Sequence, residues 1–126
     1  MKINLYLDDK RDCPEGFVIA RTMDEAIELM KTHKVHILSL DHDLGEDKNK
    51  ELLPTGYDFV KYFCGNGLYA DKIYIHTYNP RGREDMYETL KGAQRRGFIS
   101  SDIYISSKEA VPGKYSDSEE HQWEDL

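Results

Sequence analysis

The chain has little of what would mark a stapled, secreted or membrane-bound protein. Two cysteines, Cys13 and Cys64, are too few for a disulfide framework and lack metal-ligand spacing. No apolar run approaches the ~18 residues of a membrane span. The N-terminus Met1-Lys2-Ile3-Asn4 enters a strand-like segment at once, without the pattern of a cleaved signal peptide. Internal repeats and low-complexity segments are also missing. There is no basic excess, since 17 Lys and Arg stand against 24 Asp and Glu for a net charge of −7. That balance argues against extended duplex binding, which needs a basic face. These absences point to a reduced, cytoplasmic protein that does not engage a membrane.

What is present is one domain's worth of chain: 126 residues, 39% of them apolar or aromatic and 33% charged, enough for a single core. The acid is unevenly placed. Residues 109–126 hold six acids (Glu109, Asp117, Glu119, Glu120, Glu124, Asp125) against Lys114 alone, which leaves the body near −2. We therefore divide the chain into a domain at 1–108 and an acidic, flexible tail at 109–126, through which a protein partner would bind.

Five segments carry strand chemistry: Ile3–Leu7, Phe17–Ala20, His36–Leu40, Lys72–His76 and Asp102–Ser106. Three helical patterns lie between them. Thr22 with Glu25 forms a capping box ahead of Met23, Ala26, Ile27 and Met30. A second helix starts near Thr55-Gly56 and sets Phe59, Val60, Phe63 and Cys64 on one face. A third runs from about Arg83, with Met86, Leu90 and Ala93 inward, to a stop at Gly97. Alternation of this kind predicts an open, mostly parallel sheet covered by helices on both faces. One link is too short. Only the nine residues Asp8–Gly16 join the first two strands, whereas a parallel crossover takes about a dozen or more. Either the crossover is cut to a loop or the second strand is irregular.

Polar residues gather where strands end: Asp8-Asp9-Lys10-Arg11 after the first, Asp41-His42-Asp43 after the third, and His76 through Arg83 at the fourth. In open α/β sheets the ligand crevice lies outside the carboxyl ends of the strands. Four carboxylates there (Asp8, Asp9, Asp41, Asp43) repel one another unless a cation or shared protons neutralise them, and oxygen ligands suit Mg²⁺ or Mn²⁺. His42 and His76 beside them match the acid and base that phosphoryl chemistry requires. Asn79-Pro80-Arg81-Gly82-Arg83 leads into a helix whose N-terminus attracts anions, and Arg81 and Arg83 add bidentate phosphate donors. His33, His36 and His121 are read as structural or solvent-exposed.

Leu7-Asp8-Asp9-Lys10-Arg11, Ser39-Leu40-Asp41-His42-Asp43-Leu44-Gly45, Gly56-Tyr57-Asp58 and His76-Thr77-Tyr78-Asn79-Pro80-Arg81-Gly82 with Met86 together resemble the cyclic-phosphate-processing receiver-like family. This is a divergent branch of the response-regulator receiver fold, and the likeness covers roughly residues 3–108. It implies a flavodoxin-like three-layer sandwich with a five-stranded sheet in the order 2-1-3-4-5. It also implies that Asp8 and Asp9 are the metal-binding acidic pair and that Asp41 stands at the phosphoacceptor position. Thr77 resembles the hydroxyl residue closing the fourth strand, and Lys108 stands near the receiver lysine. His42, Asp43, His76 and the Asn-Pro-Arg-Gly turn depart from ordinary receivers, as does the missing helix between the first two strands.

The expectation is a metal-assisted phosphoesterase acting on a cyclic phosphate of a nucleotide or RNA 3′ end. Asp8, Asp9, Asp41 and Asp43 would hold Mg²⁺ or Mn²⁺, and His42, His76 and Asp41 would be catalytic. Arg11, Thr77, Asn79, Arg81 and Arg83 would bind phosphate. The alternatives are a non-catalytic nucleotide or partner binder, and a phosphoacceptor receiver in signalling.

Overall fold

The computed structural model describes residues 1–110; the expected acidic tail, apart from Glu109 and Ala110, lies outside the described residues. In chain order the elements are β1 (Lys2–Leu7), β2 (Phe17–Ala20), α1 (Met23–Thr32), β3 (Lys34–Leu40), α2 (Gly56–Gly65), β4 (Lys72–Ile75), α3 (Pro80–Arg95) and β5 (Tyr104–Ile105). All strand pairs are parallel and the sheet order is β2-β1-β3-β4-β5. The receiver-like α/β architecture expected from the sequence is the one observed.

Local chemistry explains the helix starts. Thr22 Oγ1 accepts from the Glu25 amide at 3.2 Å, but the Glu25 carboxylate reaches back to the Arg21 amide rather than to Thr22. The reciprocal capping box forms instead at α2, where Thr55 Oγ1 accepts from Asp58 N and Asp58 Oδ2 accepts from Thr55 N. The third helix begins three residues earlier than expected. Asn79 is its N-cap and Pro80 fills the first turn, where a missing N–H costs nothing. Gly97, at φ +82°, follows its end.

Register fixes the two sheet faces. Leu5, Leu38, Ile73 and Ile105 are lateral partners, as are Ala20, Leu7, Leu40 and Ile75. These side chains share one core with Ala26 of α1, Phe59, Val60 and Phe63 of α2, and Met86, Leu90 and Ala93 of α3. All three helices therefore cover the same face, and among the described residues the expected third layer is absent. The reason is topological. The steps β2 to β3, β3 to β4 and β4 to β5 each carry a helix and all run in one direction along the sheet, so right-handed crossovers place every helix on one side.

The single leftward step, β1 to β2, is the short loop Asp8–Gly16, and β2 is regular. The register sets Asn4 against Phe17 and Leu7 against Ala20, so the loop has only to descend about 10 Å, three strand residues. Nine residues can span far more than that. Arg21 pins the loop by donating to the Asp8 and Arg11 carbonyls at 3.3 and 2.9 Å.

Candidate active site at the strand ends

Leu7, Leu40 and Ile75 are neighbours across β1, β3 and β4, so the residues that follow them are neighbours too. The backbone ladder continues one rung. Asp41 N donates to Leu7 O and His76 N to Leu40 O, both at 2.9 Å, while Asp8 N donates to Ala20 O at 3.0 Å. This rung brings Asp8, Asp41 and His76 together with one ligand atom each, all within 4.8 Å of one another. The three are buried, at 1%, 9% and 2% exposure.

His76 is held at both ring nitrogens. Nε2 lies 3.1 Å from Asp8 Oδ2, and Nδ1 lies 2.7 Å from Ser39 Oγ. With Asp8 ionised, Nε2–H donates to it and the Ser39 hydroxyl donates to Nδ1. The ring stacks on Tyr6 at 4.1 Å between centroids. Burial first, then the Asp8 charge, raises the pKa of the Tyr6 phenol. Neither Ser39 nor Tyr6 was anticipated. The available signal was Ser39 itself, a polar residue between Leu38 and Leu40 on the face that leads to Asp41.

Electrostatics separate the carboxylates. Burial pushes Asp8 up, but the His76 hydrogen bond and the Arg11 and Lys10 amides to Oδ1 outweigh it and hold Asp8 below its ordinary value. Asp41 is raised, by burial and then by Asp8, despite the His42 amide on its Oδ1. Asp9 is raised for the same two leading reasons. It sits half-buried with Lys10, Arg21, Leu44, Gly45, Glu46 and Leu53 around a cavity of ≈ 550 Å³.

The four expected metal ligands thus divide. Asp8 and Asp41 converge with His76, Asp9 borders the neighbouring cavity, and Asp43 is 71% exposed and bonded to His42 Nδ1 at 2.9 Å. His42 is partly buried where the N-termini of α2 and α3 meet. Gly56 N donates to His42 O at 2.7 Å, and a Cβ on Gly56 would stand 1.8 Å from Asp41 O. A Cβ on Gly82 would stand 2.5 Å from His42 Cδ2. Both glycines are there for close approach. Two helix N-termini, each the positive end of a dipole, thereby lie beside Asp41 and His42, α2 at their backbone and α3 at the His42 ring.

The expected phosphate binders have mixed positions. Arg11 donates to His76 O at 2.9 Å, lies 3.9 Å from Asp8 Oδ2, and stacks its guanidinium 4.3 Å from the Tyr78 ring centroid. Thr77 is buried and its hydroxyl accepts from Asn79 N, while Asn79 Oδ1 accepts from Gly82 N. Arg81 is exposed. Arg83 Nη2 donates to Thr77 O, and its buried Nε has no hydrogen-bond partner among the described residues. Lys108 is exposed, and its carbonyl accepts from Ile75 N.

Two carboxylates and an imidazole on one buried rung fit a divalent cation. Two like charges face one another there, and the two carboxylates suit Mg²⁺ or Mn²⁺, while the imidazole nitrogen favours the softer of the two. A parallel sheet in this order, with an acidic cluster at its carboxyl edge and helix N-termini beside it, defines a receiver-like domain. The chain matches the family model of the cyclic-phosphate processing receiver domain over residues 3–92 and belongs to that family. Comparisons with curated proteins and with solved structures found no match. Among the described residues, no helix is long and apolar enough to cross a membrane.

Proposed function

We propose that the chain is a divalent-metal-assisted phosphoesterase that opens a cyclic phosphate on a nucleotide or RNA 3′ end. The observation that carries this reading is the buried rung of Asp8, Asp41 and His76, with ligand atoms within 4.8 Å of one another. Those three residues, with Asp9 alongside, would hold Mg²⁺ or Mn²⁺. A cation bound there supplies charge for the phosphoryl oxygens.

The chain's own groups divide the remaining work. His42, oriented by Asp43 through Nδ1, exchanges the proton at the attacking or leaving oxygen. His76 has both ring nitrogens engaged and holds Asp8 in place; as a ligand it would offer the Nε2 lone pair and carry its proton on Nδ1, donating to Ser39 Oγ, so acid–base work falls first to His42. The positive end of α3, with Arg81 and Arg83 in its first turn, favours the anionic phosphate.

The test is a chromatographic assay of 2′,3′- and 3′,5′-cyclic nucleotides with Mg²⁺, with Mn²⁺ and with EDTA, beside His42→Ala and His76→Ala. Metal-dependent ring opening is expected, reduced ~10²–10⁴-fold in His42→Ala. Cyclic nucleotide bound but recovered intact across the panel would refute the enzyme and favour a binding module.

A further inference from the structure

Most of the well-exposed aromatic rings among the described residues lie away from the ligand rung. Tyr69 precedes β4, Phe98 follows α3 and Tyr104 opens β5, all toward the amino ends of the strands. Tyr78 is placed differently. It follows the carboxyl end of β4, just past His76 and Thr77, and is 45% exposed. It is not part of the hydrophobic core.

A largely buried cation holds this ring beside the site. Arg11, whose side chain is 15% exposed, sets its guanidinium carbon 4.3 Å from the Tyr78 ring centroid. The same guanidinium donates through Nη1 to His76 O at 2.9 Å and keeps Nε 3.9 Å from Asp8 Oδ2. The Arg11 amide also donates to Asp8 Oδ1 at 2.9 Å. Attraction between a cation and an aromatic face strengthens as water is excluded, so the ring rests on a group that is itself anchored to the rung. Arg11 covers one face, and the exposed area therefore lies on the rest of the ring. Arg11, expected from the sequence to bind phosphate, is instead engaged between His76, Asp8 and Tyr78.

One guanidinium thus separates the Tyr78 ring from a carboxylate of the rung. In a nucleotide one ribose separates the phosphate from the base, a step of similar size. Aromatic rings hold nucleobases by stacking, which tolerates any base because each offers a π-face. We propose that Tyr78, backed by Arg11, stacks the base of the substrate while its phosphate lies at the rung. The inference rests on the phosphoesterase reading above and narrows it to base-bearing substrates, purine and pyrimidine alike.

The test separates stacking from turnover. 3′-AMP and glycerol 1-phosphate carry no cyclic phosphate to open, and each is titrated by calorimetry into the full-length protein with Mg²⁺. 3′-AMP should bind ~5–100-fold more tightly, and its adenine proton resonances should move upfield on binding. Tyr78→Leu should remove both effects and Tyr78→Phe should keep them, with circular dichroism confirming that each variant is folded. In the ring-opening assay, Tyr78→Leu should raise KM for 2′,3′-cyclic AMP by a similar factor with kcat little changed, the mark of binding lost equally from ground and transition states. Equal affinity for the two ligands, no binding of 3′-AMP, or a Tyr78→Leu protein that keeps the preference and the adenine shifts would overturn the inference, whether or not rings are opened. Base-dependent binding lost in Tyr78→Leu, with no ring opening by the parent, would instead refute the phosphoesterase and leave Tyr78 as a base-stacking residue.

Discussion

Asp41→Asn should make the protein more stable at neutral pH while abolishing its proposed activity. Asp8 and Asp41 offer carboxylate oxygens within 4.8 Å of one another in a buried setting. At an effective dielectric near 20, two unit charges at that separation repel by about 3 kcal/mol. The His76 and backbone hydrogen bonds stabilise Asp8, and Asp41 bears the consequence as a raised pKa.

The sign follows from proton binding. A carboxyl whose folded pKa is raised binds more protons in the folded state than in the unfolded one. Stability therefore falls as pH rises from about 4, the unfolded aspartate value, through the folded pKa of Asp41. Asparagine removes that fall, keeps an oxygen for the His42 amide, and turns an N–H toward Asp8. A gain of about 1–2 kcal/mol at pH 7 is expected once solvent and counter-charge reduce the bare repulsion. It should vanish below about pH 3.5, where both aspartates are protonated in the unfolded chain. Urea denaturation across pH 3–8 without divalent metal would measure this. An Asp41→Asn protein less stable than the parent at pH 7, or a difference independent of pH, would refute the reasoning.

Three further outcomes follow from the same geometry. Ser39→Ala leaves His76 Nδ1 buried without a donor and should cost about 1–3 kcal/mol in urea denaturation; a neutral result would mean that water replaces the hydroxyl. Gly56→Ala drives a Cβ to 1.8 Å from the Asp41 carbonyl and should cost more than about 3 kcal/mol, read as a lowered midpoint. Gly82→Ala instead meets a side chain, the His42 ring, which can turn away. The helix preference for Ala, about 1 kcal/mol, then offsets the strain, so thermal melting should change little while the His42 ring resonances shift and turnover falls.

The fold was legible because its signals are local. The period-two apolar residues of Ile3–Leu7 and the i, i+3, i+4 pattern around Phe59 and Met86 survive tertiary packing unchanged. What was not legible depends on relations between distant segments. Helices on both faces was a general expectation for alternating strands and helices, and it fails because the direction of each sheet step decides the side a helix takes. Asn79 is readable as a helix cap from the sequence, but the apolar pattern that marks the third helix begins only at Met86, so its first turn, Pro80 to Arg83, is not. At the site, the strand ends named Asp8, Asp41 and His76 individually. Their convergence needs the register, and so does the separation of Asp43, whose partner is its own neighbour His42. Ser39 and Tyr6 were missed because their importance comes only from the imidazole between them.

The one-sided layering also bears on how the chain reaches its folded state. Leu5 pairs with Leu38, Leu38 with Ile73, and Ile73 with Ile105, so successive pairings close loops of nearly equal length. Loop entropy changes only by about 0.6 kcal/mol per doubling, so it does not separate these three pairings, whereas the β1–β2 pair, with Leu5 against Val18, closes a shorter loop. Among these three pairings the order of assembly is left to burial, which is greatest at β3, the central strand of the five, where Val35, Leu38, Ser39 and Leu40 are buried. Zipping β1 and β4 onto β3 is also the act that presses Asp8 and His76 against Asp41. The charge conflict of the site is thus met during folding rather than after it, and its cost falls on the rate of assembly as well as on the finished structure.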